Sequence, residues 1–309
     1  MNKDAFAGFH PFVNLLFFVA VIGFAMFFMH PVSLVISLFC SLAYSIYIKG
    51  SKAVRFSLVF MLPLLLITAT LNPLFSHQGA TILAFFPNGN PLTLESILFG
   101  FAAATMLVTV ITWFSCFNVV MTSDKFVFLF GKFIPALSLI LSMALRIVPR
   151  FMAQIKVISA AQRCIGRDVS NGNLLQKIKH GIKIISIMIT WVLENAIETA
   201  DSMKGRGYGL PGRTAFSIFK FSKRDSFALG YILFCVISVL LGYVMGAYHF
   251  RFFPTVRGQW SGVETYFVFI TYFALGAFPM VINIRESLVW RKINFSKDLK
   301  KVSQSIITR

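Results

Sequence analysis

Acidic residues are scarce in this sequence. Eleven aspartates and glutamates stand against 29 lysines and arginines in 309 positions, and charged residues of both signs make up only 13%. So little charge, beside 57% hydrophobic and 16% aromatic residues, excludes the ordinary soluble globular class and points to a polytopic membrane protein. Cysteine is also sparse. Cys40, Cys116, Cys164 and Cys235 lie far apart with no C-x-x-C spacing, so neither a disulfide framework nor a metal site is indicated, and a small buried hydrophobe is the better reading. The five histidines, His10, His30, His77, His180 and His249, are as scattered and read as turn or interface residues rather than ligands. No internal repeat and no low-complexity linker is present. The phosphate-binding pattern G-x-x-x-x-G-K-[ST] is missing too.

What is there is a set of long uncharged stretches. Phe12–Met29, Val32–Ile48, Phe56–Leu71, Ile97–Val120, Phe227–Ala247 and Tyr266–Ile282 contain no Lys, Arg, Asp or Glu, and each is near the roughly 20 residues that cross a hydrocarbon core. The first opens so close to the N-terminus that it has a signal-peptide look. No small-residue cleavage site follows it, so it is expected to stay in the mature chain. The absence of ionisable groups from these spans argues against a transporter coupled to an ion gradient, which needs a partner for the ion within the membrane. If the chain takes part in active transport, energy must come through another subunit.

The net charge of +18 is consistent with nucleic-acid binding or with one face of a bilayer. Distribution favours the bilayer. The turn Met29-His30-Pro31 and the loop Asn72–Thr93 hold no basic residue, whereas Lys49–Arg55 holds three, residues 121–226 hold sixteen and the stretch from Asn283 holds seven. With both termini inside, the positive-inside rule is met everywhere except at Arg251 and Arg257. Two shorter apolar runs, Phe133–Leu145 and Ile184–Leu193, are excluded as spans. They would carry outward the eight cations Arg146, Arg150, Lys156, Arg163, Arg167, Lys177, Lys179 and Lys183. The expected architecture is therefore all-α: four spans in residues 1–120, cytoplasmic or interfacial helices in 121–226, two spans in 227–282, and a basic cytoplasmic tail in 283–309.

Within 121–226, Ile185, Met188, Val192, Ala196, Thr199 or Ala200, and Met203 recur at three- and four-residue steps, one face of a helix. Glu194, Glu198 and Asp201 share another face, and Arg146 and Arg150 sit one turn apart on an earlier helix that contains Pro149. Opposite stripes are consistent with two helices that cross and pair, or with two solvated faces. The run ETADSMKGRGYGLPGR, from Glu198, reads as a helix to about Arg206. Gly207 is suited to a left-handed cap, and Tyr208, Gly209, Pro211 and Gly212 oppose continuation. Taken alone, Arg206 is a cation at the negative end of a helix dipole.

Asn72-Pro73-Leu74-Phe75-Ser76-His77-Gln78-Gly79, Ala144-Leu145-Arg146-Ile147-Val148-Pro149, Ala161-Gln162, Ala200-Asp201-Ser202-Met203-Lys204-Gly205-Arg206-Gly207-Tyr208 and Arg224-Asp225 occur in that order. Together they resemble the transmembrane T component (EcfT or CbiQ type) of energy-coupling factor (ECF) transporters. The resemblance implies two ABC-type ATPase partners, each engaged at the end of a coupling helix that carries an Ala-Arg-Gly motif. It also implies a separate membrane S component that holds a vitamin or a nickel or cobalt ion. ATP would bind the partners and no cofactor this chain, which would sit in a bacterial or archaeal cytoplasmic (inner) membrane and touch no nucleic acid. The implied coupling residues are Gly205, Arg206 and Gly207 at the second motif, where glycine stands for alanine. At the first motif the chain reads Cys164-Ile165-Gly166, so the arginine is an isoleucine, flanked by Arg163 and Arg167.

Two other classes compete. The cluster Glu194, Asn195, Glu198 and Asp201 loosely matches a Mg²⁺-diphosphate helix of membrane prenyltransferases acting on a phosphorylated lipid, but no second aspartate-rich helix faces it in the sequence. A self-contained channel would lack charged pore-lining candidates.

Overall fold

The computed structural model describes residues 4–85, 87, 89–133, 135–167, 173–208, 210, 219–246, 248, 250–258 and 262–307. In chain order these form α1 (Pro11–Phe27), α2 (Pro31–Lys49), α3 (Ser51–Phe56), a π turn (Ser57–Met61), α4 (Leu62–Phe75), β1 (Ile82–Phe85), β2 (Pro91–Thr93) and α5 (Leu94–Val120). There follow α6 (Ser123–Phe133), α7 (Pro135–Cys164), α8 (Leu174–Gly205), α9 (Lys223–Val244), β3 (Phe250–Arg251), β4 (Arg257–Gly258) and α10 (Val263–Ile307). The fold is an all-α polytopic membrane protein with two small hairpins. It divides into two compact units: residues 1–122 with 220–309, and residues 123–219.

Helix starts in the first unit follow local chemistry. His10 and His30 each precede a proline at the first helical position, and their ring Nδ1 atoms accept from the amides of Phe12 and Val32 at 3.3 and 3.2 Å. Ser222 and Asp225 cap α9 reciprocally, in a capping box. Between α3 and α4 the helix widens into the π turn just ahead of Pro63, whose ring lacks an amide hydrogen and crowds the carbonyl four residues back.

The core of this unit is aromatic. Phe6, from a 3₁₀ turn ahead of α1, is fully buried among Phe17, Phe18, Tyr44 and Phe278. Trp113 of α5 packs edge-on to Phe17 and donates its indole hydrogen to the Ser37 hydroxyl at 3.1 Å. Asp4 ties the N-terminal segment down: Tyr44 donates to one carboxylate oxygen at 2.8 Å and Asn283 to the other at 2.6 Å. At the opposite end of α2, the β1–β2 loop region folds around Glu95, which accepts from the amide and hydroxyl of Thr81. Gly79, at φ +145°, lies so close that a Cβ there would stand 2.6 Å from the Glu95 carboxylate.

In the second unit α7 and α8 form a helical hairpin. Phe151 of α7 meets Trp191 of α8 edge-on, with ring centroids 5.9 Å apart, and Ile158, Ile184 and Met188 are buried between the two helices. Phe151 and Trp191 are at comparable distances along the chain from the connection at 165–173, so the helices run antiparallel. α7 continues unbroken through Pro149.

Among the described residues, six helices are long and apolar enough to cross a membrane: Pro31–Lys49, Ser51–Phe75, Leu94–Val120, Leu174–Gly205, Lys223–Val244 and Val263–Trp290. This set differs from the expected six at both ends of the scale. The first expected span is a helix of only 17 residues, Pro11–Phe27, or about 26 Å at 1.5 Å per residue. Conversely Ile184–Leu193, excluded as too short, belongs to a 32-residue helix that qualifies by length and composition. Its charge-free stretch, between Lys183 and Glu194, is nevertheless only about 15 Å long. α10 runs as one helix from Val263 to Ile307, and so extends from the last apolar stretch into the basic one.

Candidate functional site

α7 and α8 end in the same way. The amide of Gly166 donates to the carbonyl of Arg163 at 3.0 Å and that of Arg167 to Gln162 at 3.0 Å. On α8, Gly207 donates to Lys204 at 2.9 Å and Tyr208 to Met203 at 3.0 Å. These are the paired bonds of a Schellman motif, and each needs a left-handed residue. Gly166 and Gly207 both supply it at φ +76°. One residue earlier, Ile165 donates to Gln162 and Arg206 to Met203, both at 3.2 Å.

Hydrogen bonding thus gives a residue-by-residue register between the two helix ends. Gly205 corresponds to Cys164, Arg206 to Ile165, Gly207 to Gly166 and Tyr208 to Arg167. Arg206 is the C-cap of α8 and is exposed, where the unpaired carbonyls of the last turn favour a cation. At the same place on α7 stands Ile165, an aliphatic side chain 66% exposed. Arg163 and Arg167 are exposed on either side of it. Arg163 is in the last turn and Arg167 is beyond the glycine, so neither occupies the position of Arg206. Gly209, Pro211 and Gly212 lie outside the described residues.

Arg146, Arg150, Glu194, Glu198 and Asp201 are all exposed, and among the described residues no ion pair joins the two arginines to the three carboxylates. The helices meet through apolar side chains instead. Exposed charges gain little from pairing, about 0–1 kcal/mol, and lose side-chain freedom in doing so. The expected apolar face is also rotated: Met188 and Val192 belong to the contact, but Ile185 is 60% exposed. Ile184, Ile187 and Trp191 take its place. Trp191 was the missed signal, because a large aromatic at helical spacing from Ile184 and Met188 carries the most buriable surface on that face.

A second apolar seam on α8 is uncovered. Ile178, Ile182, Ile185, Ile189, Leu193 and Ile197 are each more than half exposed and recur at steps of three or four residues. α8 is therefore apolar on two sides, and only one of them is covered by α7.

The family model for CbiQ, described as cobalt transport protein, matches residues 8–216. The chain belongs to this family. It is similar to the energy-coupling factor transporter transmembrane protein EcfT of Lactococcus lactis subsp. cremoris (strain MG1363), with 37% identity over 106 residues, 34% of this chain and 40% of that protein. It is similar over a longer stretch to EcfT 1 of Listeria monocytogenes serotype 1/2a (strain 08-5578), with 29% identity over 63% of this chain and 72% of that protein. EcfT of Exiguobacterium sibiricum is 28% identical over 65% of this chain and 76% of its own length. The match to the Lactococcus protein spans about two-fifths of that protein's length.

Proposed function

We propose that this chain is the energy-coupling transmembrane component of an ECF-type importer. In this reading it carries movement from two ABC-type ATPase subunits to a membrane S component that binds a vitamin or a nickel or cobalt ion. It does no chemistry itself, ATP is bound and hydrolysed on the partners, and the α6–α8 unit and both termini lie in the cytoplasm of a bacterial or archaeal cell. Kinship with EcfT proteins supports the role, and the charge-free stretch of α8, about half a bilayer core long, supports placing that helix along the membrane surface rather than through it.

One observation carries the ATPase assignment: two helices of a single hairpin end in the same glycine-capped turn, and one of them presents Arg206 at its tip. Arginine suits a groove with an acidic residue, because its planar fork makes two charge-assisted hydrogen bonds to a carboxylate and does not lose its proton. The α8 end is then the ionic contact. The α7 end, with Ile165 at the equivalent place, is a contact made largely by apolar burial and trimmed by Arg163 and Arg167. The uncovered seam from Ile178 to Ile197 is the surface offered to the S component. Co-purification tests the reading: Arg206→Glu should remove at least one ATPase while the chain stays in the membrane. Intact complex and normal transport in that variant would reduce Arg206 to a cation at a helix end.

A further inference from the structure

The two arginines that break the charge rule stand directly opposite each other. Arg251 of β3 and Arg257 of β4 are Cα partners in an antiparallel ladder, next to the pair Phe250 and Gly258. Cross-strand partners project from the same face of a ladder, and like charges placed so are unfavourable unless something neutralises them. Both are exposed, and among the described residues neither has an ion pair. Of the carboxylates at this end of the unit, Glu95 is engaged by Thr81. Glu264 is exposed in the first turn of α10.

The hairpin is held in place from its other face. Phe250 lies over Gly258, where a Cβ would be 2.2 Å from its ring, so only glycine fits there. Phe250 also packs on His30 at 5.1 Å, and His30 packs on Phe269 at 4.9 Å. Phe269 in turn lines an apolar groove between α2 and α10, with Val32, Ile36, Tyr266, Ile270 and Phe273, of about 400 Å³. Thus the hairpin that carries the two cations is joined by its other face, through three rings, to a greasy groove at one end of a membrane-embedded helix pair.

We propose that Arg251 and Arg257 together hold the phosphate of an anionic phospholipid whose acyl chain lies in the α2–α10 groove. Charge complementarity selects the headgroup, two forked donors suit a phosphodiester, and the groove has no charged side chain to oppose a hydrocarbon tail. The leaflet is the one on the hairpin side, away from the end at which Asp4 clasps Asn283.

A photoreactive phosphatidylglycerol, with a diazirine near the end of one acyl chain, provides the test in vesicles containing the full-length protein. Labelling should map to the peptides around Val32–Ile36 and Tyr266–Phe273, and should fall when unlabelled phosphatidylglycerol, but not phosphatidylcholine, is added. The double variant R251Q/R257Q should lose about twenty-five-fold in labelling, since each cation near an anionic surface contributes roughly a factor of five. R251K/R257K should lose less. Should the glutamine variant fail to assemble, Ile36→Trp, which fills the groove, should block labelling at the same peptides with the arginines intact. Equal labelling of wild type and R251Q/R257Q, equal competition by the two lipids, or no label on α2 and α10 would each overturn the proposal; the last would leave the groove to a protein partner.

Discussion

Arg206 stands at the one position where its role can be read from size. A cation on the last turn of a helix contributes under about 1 kcal/mol, whereas breaking an interfacial arginine–carboxylate pair costs on the order of 2–5 kcal/mol. Under the coupling proposal, Arg206→Glu should therefore abolish transport, and Arg206→Lys should be clearly impaired because the charge survives but the fork does not. The register with α7 adds a sharper comparison. Ile165→Glu should weaken retention of an ATPase by the burial lost at an exposed aliphatic contact, while Arg163→Ala and Arg167→Ala give graded, smaller losses. ATPase retained per mole of purified chain measures all five. The two cap glycines make a separate case, since φ +76° costs alanine about 1–2 kcal/mol. Gly207→Ala should lower the melting temperature more than Gly166→Ala, because its Cβ would also meet Leu210 at 3.1 Å, whereas no atom of the described residues stands within 4 Å of a Cβ at Gly166.

Among elements, the α7–α8 hairpin is held by rings and aliphatic chains rather than by charge. A double-mutant cycle on Phe151→Ala and Trp191→Ala should show coupling of about 1 kcal/mol, in the range of an edge-to-face aromatic pair. The equivalent cycle on Arg150→Glu and Glu194→Arg should be additive within about 0.5 kcal/mol. Denaturant or thermal unfolding of the purified protein distinguishes these outcomes. The loop around Glu95 is a second element-scale case. Gly79→Ala forces a Cβ against both Glu95 and Thr93 at a φ that favours glycine, so it should destabilise the β1–β2 region. Increased proteolytic nicking between residues 76 and 95 would report it. This gives the stretch Asn72 to Gly79 a structural reading: it turns the chain out of α4 and makes room for the buried Glu95 carboxylate.

At the scale of the whole molecule, the proposed orientation is open to a direct check, because Cys164 is exposed while Cys40, Cys116 and Cys235 are buried. A membrane-impermeant thiol reagent should label Cys164 in inverted vesicles and leave it unlabelled in intact cells; labelling from outside would remove α7 and α8 from any cytoplasmic ATPase. Much of the architecture was legible because a bilayer imposes a coarse rule, that runs of about 20 residues without charge become helices. That rule is independent of tertiary contacts. It is least decisive where length and charge diverge: α1 is a helix of only 17 residues yet has Phe17, Phe18 and Val13 fully buried, and α8 is long enough to cross a bilayer although its charge-free stretch runs only from Lys183 to Glu194.

The sequence by itself determined the membrane class, the likeness to the T-component family, and the way α8 ends, because a bilayer reads hydropathy and a glycine cap reads one residue's φ. Only the tertiary structure decided what lies across space. It put Trp191 against Phe151 in place of an ionic crossing and set Arg251 opposite Arg257. The physical reason is that side-chain pairing depends on helix rotation and strand register, which periodicity narrows to a face but not to a partner.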